Sequence, residues 1–229
     1  MSKRSPGQAA RVRFGGMRTP SGYLFELTGG HLCLDLANTV DERRTDHPRE
    51  LLARYQDLLD WGVQAEAITL REAAALREQA ARDRTAASRA LRRVAGVREA
   101  IFRVFSAIAG RRTVPADALA VLNRVVPEAF GKRCLERQGR PLAWAWRHAE
   151  PPELDRVLWP AVWSAAELLT SSELDRVRQC AGAGCAWLFI DRSKNGTRRW
   201  CDMSVCGNRA KARRHYAKAK RTQNAERGT

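Results

Sequence analysis

The chain has 229 residues, 44% of them hydrophobic and 29% charged, and 41 Lys and Arg against 25 Asp and Glu give a formal net charge of +16. That length allows one large domain or a medium domain with a small appendage, and the charge asks for a polyanionic partner without specifying a fold. With no apolar window of about 18 residues and no apolar run after the positive start, the sequence excludes a membrane-spanning helix and does not read as a secretory signal.

The positive charge sits at the two ends. From Cys180 to Thr229 there are twelve basic and three acidic residues, a net of +9, and residues 1–18 carry five basic residues and no acid. Residues 1–21, broken by Gly7, Gly15, Gly16 and Pro20, read as a basic disordered arm. The near-neutral stretch 22–172 reads as a helical domain whose apolar stripes need no metal. A helix is expected to begin after Gly29-Gly30 at Leu32, and a second to span Leu51–Trp61 on the spacing of Leu51, Leu52, Tyr55, Leu58 and Leu59. Thr69 with Glu72 three residues later is a capping box that opens a third. A run from about Thr85 to Ala109 places Leu91, Val94, Ile101, Val104, Phe105 and Ile108 on one face, and Pro115 sits in the first turn of a helix reaching about Phe130.

The period then changes from helical to alternating. Arg133–Arg137, a Gln138-Gly139-Arg140-Pro141 turn and Leu142–Trp146 predict a β-hairpin with Trp144 and Trp146 on one face. The stripe from Leu154 to Leu169 predicts a helix that kinks or restarts at Pro160. A domain boundary is expected near 172–179, with a small module over 173–221 and a tail over 222–229. Asp35, Asn38, Arg43, Trp144, Trp146, Trp159 and Trp163 are candidates for an effector pocket in the helical domain. Core packing is the reading preferred for them, because apolar and aromatic residues at helical spacing build cores.

The small module rests on Cys180-x4-Cys185, fifteen intervening residues, and Cys201-x4-Cys206. Two close pairs separated by roughly 12–20 residues form the pattern of a tetrahedral zinc site, the cofactor expected here. With all four positions filled by sulfur, no place is left for a reactive water, so the site reads as structural. A segment this short has little core of its own and should draw its folding free energy from the metal, with Trp187, Leu188, Phe189, Ile190 and Trp200 packed beside it. Cys33 and Cys134 lie in apolar runs and read as inert core thiols. Six cysteines without a secretory signal point to a reducing compartment, the cytoplasm.

Beyond Cys206 the chain is rich in Ala, Arg and Lys, and predicts a basic helix with Arg209, Arg213 and Lys220 on one face and Lys211, Arg214, Lys218 and Arg221 on another. Arg192, Lys194, Arg198 and Arg199, between the cysteine pairs, are expected to converge on the same surface. These eleven residues are the candidate nucleic-acid contacts, with duplex DNA the expected partner and RNA or an acidic protein the alternatives. A third reading is a thiol switch that releases zinc on oxidation. No nucleophile–base pair or phosphate loop stands out, so no enzymatic activity is expected.

The run Cys180-x4-Cys185-Ala186-Trp187-Leu188-Phe189-Ile190-Asp191-Arg192-Ser193, followed by Arg198-Arg199-Trp200-Cys201 and Cys206-Gly207-Asn208-Arg209, resembles the CGNR-type zinc finger. Leu32-Cys33-Leu34-Asp35-Leu36-Ala37-Asn38-Thr39-Val40-Asp41 resembles the opening of the ABATE domain that precedes that finger. The resemblance covers about residues 22–221 and implies a stress-related transcriptional regulator with a DNA-binding finger. The expected fold class is therefore α+β and predominantly α-helical: a helical domain with a small β-hairpin, then a four-cysteine zinc finger with a basic C-terminal helix.

Overall fold

A computed structural model describes residues 15–137 and 141–226, with side chains as far as residue 217. The first element falls within the stretch expected to be a disordered arm. Met17–Thr19 (β1) and Gly22–Leu24 (β2) form an antiparallel hairpin in the register Met17 opposite Leu24. It is held from outside: Tyr23 N–H donates to Asp60 Oδ2 (2.8 Å) and Phe25 N–H to Gln64 Oε1 (2.8 Å). Tertiary hydrogen bonds thus override a glycine-rich composition that reads as loop, while residues 1–14 lie outside the described residues.

Helix α1 (Leu32–Ala37) opens where expected and buries Cys33, Leu34, Leu36 and Ala37. Two short strands follow, β3 (Val40–Asp41) paired with β4 (Arg49–Glu50). Helix α2 spans Tyr55–Gln64, beginning later than the apolar spacing suggests. Asp57 accepts the Arg54 backbone N–H (3.0 Å) and so fixes the first turn at Tyr55, leaving Leu51 and Leu52 buried in the approach to it. Helix α3 (Leu70–Arg82) carries the expected capping box: Glu72 N–H donates to Thr69 Oγ1 (3.1 Å) and Thr69 N–H to Glu72 Oε2 (2.8 Å). The 26-residue helix α4 (Arg84–Ala109) and helix α5 (Ala116–Gly131) match the predicted runs closely.

Strands β5 (Arg133–Arg137) and β6 (Leu142–Trp146) form the predicted hairpin, with Arg133 opposite Trp146 and Leu135 opposite Trp144. Residues 138–140 of its turn lie outside the described residues. Helix α6 begins at Leu158, so Pro160 occupies the first turn, where a missing N–H costs nothing, and no kink is needed. Helix α1 packs between α4 and α6, and α5 closes over both. Trp61, Leu34, Leu36 and Phe105 are wholly buried in this core.

A 3₁₀ turn (Ser172–Arg176) leads into β7 (Val177–Gln179), which pairs with β8 (Leu188–Ile190). Val177, Leu188 and Ile190 belong to the core of the helical domain, and β7 and β8 pack on α4 and α1. The sequence changes character near 172–179, but the packing runs across that point without a break. The alternation of β8 explains it: Trp187 and Phe189 face the cysteines while Leu188 and Ile190 face the helices. Leu188 and Ile190 therefore do not belong to a separate finger core. A π-helical turn (Met203–Gly207) then runs into helix α7 (Asn208–Glu226), whose backbone continues five residues past the expected end at 221. Among the described residues no helix is long and apolar enough to cross a membrane.

Candidate metal centre and the basic helix

Cys180 follows β7, Cys185 closes the turn before β8, Cys201 ends the long loop and Cys206 lies in the π turn. Their four Sγ atoms lie within 4.8 Å of one another and all four residues are buried. Cys201 Sγ stands 3.8 Å from both Cys185 Sγ and Cys206 Sγ. A tetrahedron of sulfurs at about 2.3 Å from a zinc ion has edges of about 3.8 Å, the length of these two edges. The backbone supplies donors for thiolate charge: Gly182 N–H points at Cys180 Sγ and Trp187 N–H at Cys185 Sγ, each 3.4 Å. Gly182 has a steric reason to be glycine, since a Cβ there would stand 3.0 Å from Cys185 Cβ and 3.2 Å from Cys206 Sγ.

Sulfurs this close cannot all ionise against one another. Hydrogen bonds from Cys185, Cys201 and Cys206 hold the Cys180 thiol far down, while Cys180 and Cys185 push Cys201 and Cys206 far up. A divalent cation at the centre removes that conflict. Cys33 contrasts with them: burial pushes its thiol up to about 12, as an inert core cysteine requires.

The helical domain reaches into this centre. Asn38, 3% exposed, uses both ends of its amide on one strand residue: Nδ2 donates to Leu188 O (2.9 Å) and Oδ1 accepts Leu188 N–H (2.8 Å). The indole of Trp187 donates to Val40 O (3.1 Å), Arg44 donates to Cys180 O (3.1 Å), and Ile190 N–H donates to Gly29 O (2.9 Å). Segment 38–50 is itself anchored by Arg98 on α4, 3% exposed, which grips Glu50 with two bonds (2.6 and 2.7 Å) and touches Thr39 Oγ1. Arg43 pairs with Glu99 at 2.7 and 3.0 Å. Asp35 accepts Gly29 N–H (2.7 Å), and burial lifts its carboxyl to about 6.

Asp35, Asn38 and Arg43 thus serve the scaffold and do not meet the tryptophans in one pocket. Trp144, Trp146 and Trp163 instead surround the Arg133 guanidinium at 5.2, 4.5 and 4.4 Å, and Trp146 packs at 6.3 Å from Trp159. Sequence reasoning passed over Arg98 and Arg44; an arginine inside the apolar stripe of α4 is the signal that marks Arg98.

The loop between the cysteine pairs is organised by Asp191, which is fully buried and accepts from Ser193 N–H (2.9 Å), Ser193 Oγ and Arg198 N–H (2.9 Å). The loop cations Arg192, Lys194, Arg198 and Arg199 are all exposed. Arg192 turns to Glu173 (3.3 Å), and Arg198 lies over the Phe189 ring and donates to the carbonyls of Trp200 and Cys201. Arg199 stacks on Trp200, and Lys194 is exposed. In α7, Ala210 is buried against the finger, whereas Arg209 and every residue from Lys211 to Ala217 are exposed. Lys218, Lys220 and Arg221 lie on the backbone of α7, with their side chains outside the described residues.

A buried four-cysteine cluster behind a basic helix defines a metal-binding zinc-finger protein with a helical domain in front of it. Two family models match the chain in that order: ABATE, described as "Putative stress-induced transcription regulator", over residues 30–172, and the CGNR zinc finger over residues 176–219. The first covers more than half of the chain, and the chain belongs to the ABATE family. A search of curated proteins finds no significant match.

Proposed function

We propose that this protein is a zinc-dependent, non-enzymatic transcriptional regulator of the cytoplasm that acts in a stress response and binds duplex DNA through α7. The exposure of α7 carries the reading. From Lys211 to Ala217 every residue of the helix is exposed, yet its start is fixed by Cys206 and by the buried Ala210. Arg209 and Arg213 lie one turn apart on one side, and Lys211 and Arg214 on the other. A helix with cations on opposite sides suits a groove walled by phosphates on both sides. The B-DNA major groove, about 12 Å wide, admits a helix, whereas the deep narrow groove of A-form RNA does not. Tyr216, 74% exposed, adds an aromatic ring to the same projecting segment.

Metal at the four cysteines would orient the start of α7 relative to β8, and zinc is the ion that an all-thiolate tetrahedral set favours. Its part is structural. The thiol-switch reading meets sulfurs on cysteines that are each 5% exposed or less, which shields them from oxidant. The test of the main reading is a salt titration of affinity for duplex DNA and for duplex RNA of the same sequence. Log affinity for DNA should fall linearly with log salt at a slope of about −4 to −5, as about five phosphate contacts require. Tighter binding to RNA, or to an acidic protein with no affinity for DNA at low salt, would replace this reading.

A further inference from the structure

A cavity of about 460 Å3 lies between the first turns of α3, the loop after β6 and the start of α6. Ala75, Leu76 and Trp159 give it an apolar lining, and its volume is in the range of small-molecule sites. Arg156, 7% exposed, forms part of the wall, its guanidinium 5.1 Å from the Trp159 ring and 5.5 Å from that of Trp146. It pairs with Glu72 at 2.6 Å and reaches Ala67 O at 3.4 Å. Burial holds Arg156 below the ordinary arginine range, with Glu72 acting in the other direction.

The acids around the cavity are largely committed. Glu72 is bound by the Thr69 N–H and hydroxyl (2.8 and 2.9 Å) as well as by Arg156, and Glu153 holds Lys132. Glu150 on the rim is exposed. The side chains of Arg71 and Arg147, also on the rim, make no hydrogen bond or ion pair with any of the described residues. An ammonium ligand would meet Arg156 with no carboxylate left to receive it in the interior. A carboxylate would find planar guanidinium forks, and a flat ring would find Trp159 and Leu76.

We propose that this cavity binds a small aromatic carboxylate, with its ring against Trp159 and Leu76 and its carboxylate held by Arg71, Arg147 and the buried Arg156. The site is independent of the DNA reading, because none of its residues belongs to the finger or to α7.

Isothermal titration of the full-length, metal-loaded protein with benzoate, and with benzamide as its neutral isostere, tests the site. Benzoate should bind saturably, and at least about tenfold more tightly than benzamide, the ~1.4 kcal/mol expected of one charge-assisted contact. The double variant Arg71→Ala/Arg147→Ala should lose about tenfold or more in benzoate affinity while metal content and melting temperature stay unchanged. Both substitutions lie on the rim, so the fold is retained. Equal affinity for benzoate and benzamide, unchanged affinity in the double variant, or no saturable binding at millimolar benzoate would overturn the proposal.

Discussion

The finger has two halves that obey different rules. Its first half, from Val177 to Ile190, is a wall of the helical domain: Val177, Leu188 and Ile190 are core residues, and Asn38, Val40, Arg44 and Gly29 bond its backbone. Its second half, α7, buries Ala210 in its first turn, and every residue from Lys211 to Ala217 is exposed. Strong burial in one half and nearly none in the other separate two tasks that are often combined in a single small module. The first half anchors Cys180 and Cys185 to the helical domain, and the second half is exposed. A metal site clamped in this way shares its stability with the domain beside it, so metal and core should be lost together.

Metal loss should have the largest effect. Cys201→Ser breaks the tetrahedron, and structural zinc sites of this kind contribute on the order of 10 kcal/mol. The variant should purify without stoichiometric metal and show loosened packing in the helical domain as well as in the finger, read by near-ultraviolet circular dichroism. If the finger unravels while the helical domain keeps its full spectrum and melting temperature, the metal site and that domain are not coupled as described.

Asn38→Ala comes next. It leaves both the N–H and the carbonyl of Leu188 buried without partners, at about 1–3 kcal/mol for each group. Melting temperature should drop, and a chelator should strip the metal faster than from the unaltered protein. Normal chelation kinetics in a destabilised variant would confine the role of Asn38 to the helical domain.

Asp35 gives a pH signature of the same junction. Its folded carboxyl titrates at about 6 against 3.8 unfolded, so between those values the folded chain holds the extra proton. Stability from this group is therefore present at the acidic end and declines as pH rises toward 6, by at most about 3 kcal/mol. Asp35→Asn keeps an acceptor for Gly29 N–H and should flatten that decline in unfolding measured across pH 4 to 6.5; an unchanged slope would remove Asp35 from the account.

In α7 the expected change in stability is the smallest. Arg213→Ala/Arg214→Ala should alter unfolding free energy by no more than about 0.5 kcal/mol, as exposed substitutions do. The same pair should make the salt dependence of DNA binding shallower by about two units. A large loss of stability would mean that α7 is packed after all.

What the sequence showed and what it hid follow the same division. The cysteine spacing, the Thr69–Glu72 box and the stripes of α4 and α5 are local signals, and each appears in the structure where it was read. Leu188 and Ile190 were hidden because a strand buried on both faces has no alternation in its hydrophobicity. Asn38 was read as a candidate for an effector pocket, yet its partner lies 150 residues away and no local pattern names it. The β1–β2 hairpin depends on Asp60 and Gln64 of α2, contacts that glycine-rich composition cannot announce. Arg192 and Arg198 read as cations of a basic loop, and the contacts that they also make, to Glu173 and to the carbonyls of Trp200 and Cys201, have no local signal.

Amide hydrogen exchange on the metal-loaded protein, with and without duplex DNA, tests the division of labour directly. The amides of Leu188 and Ile190 should exchange only with global unfolding, because Asn38 and Gly29 hold them inside the core. Amides from Lys211 to Ala217 should exchange orders of magnitude faster in the free protein and become protected on addition of duplex DNA. Equal protection of both segments in the free protein, or an α7 that saturating DNA leaves unprotected, would contradict the account.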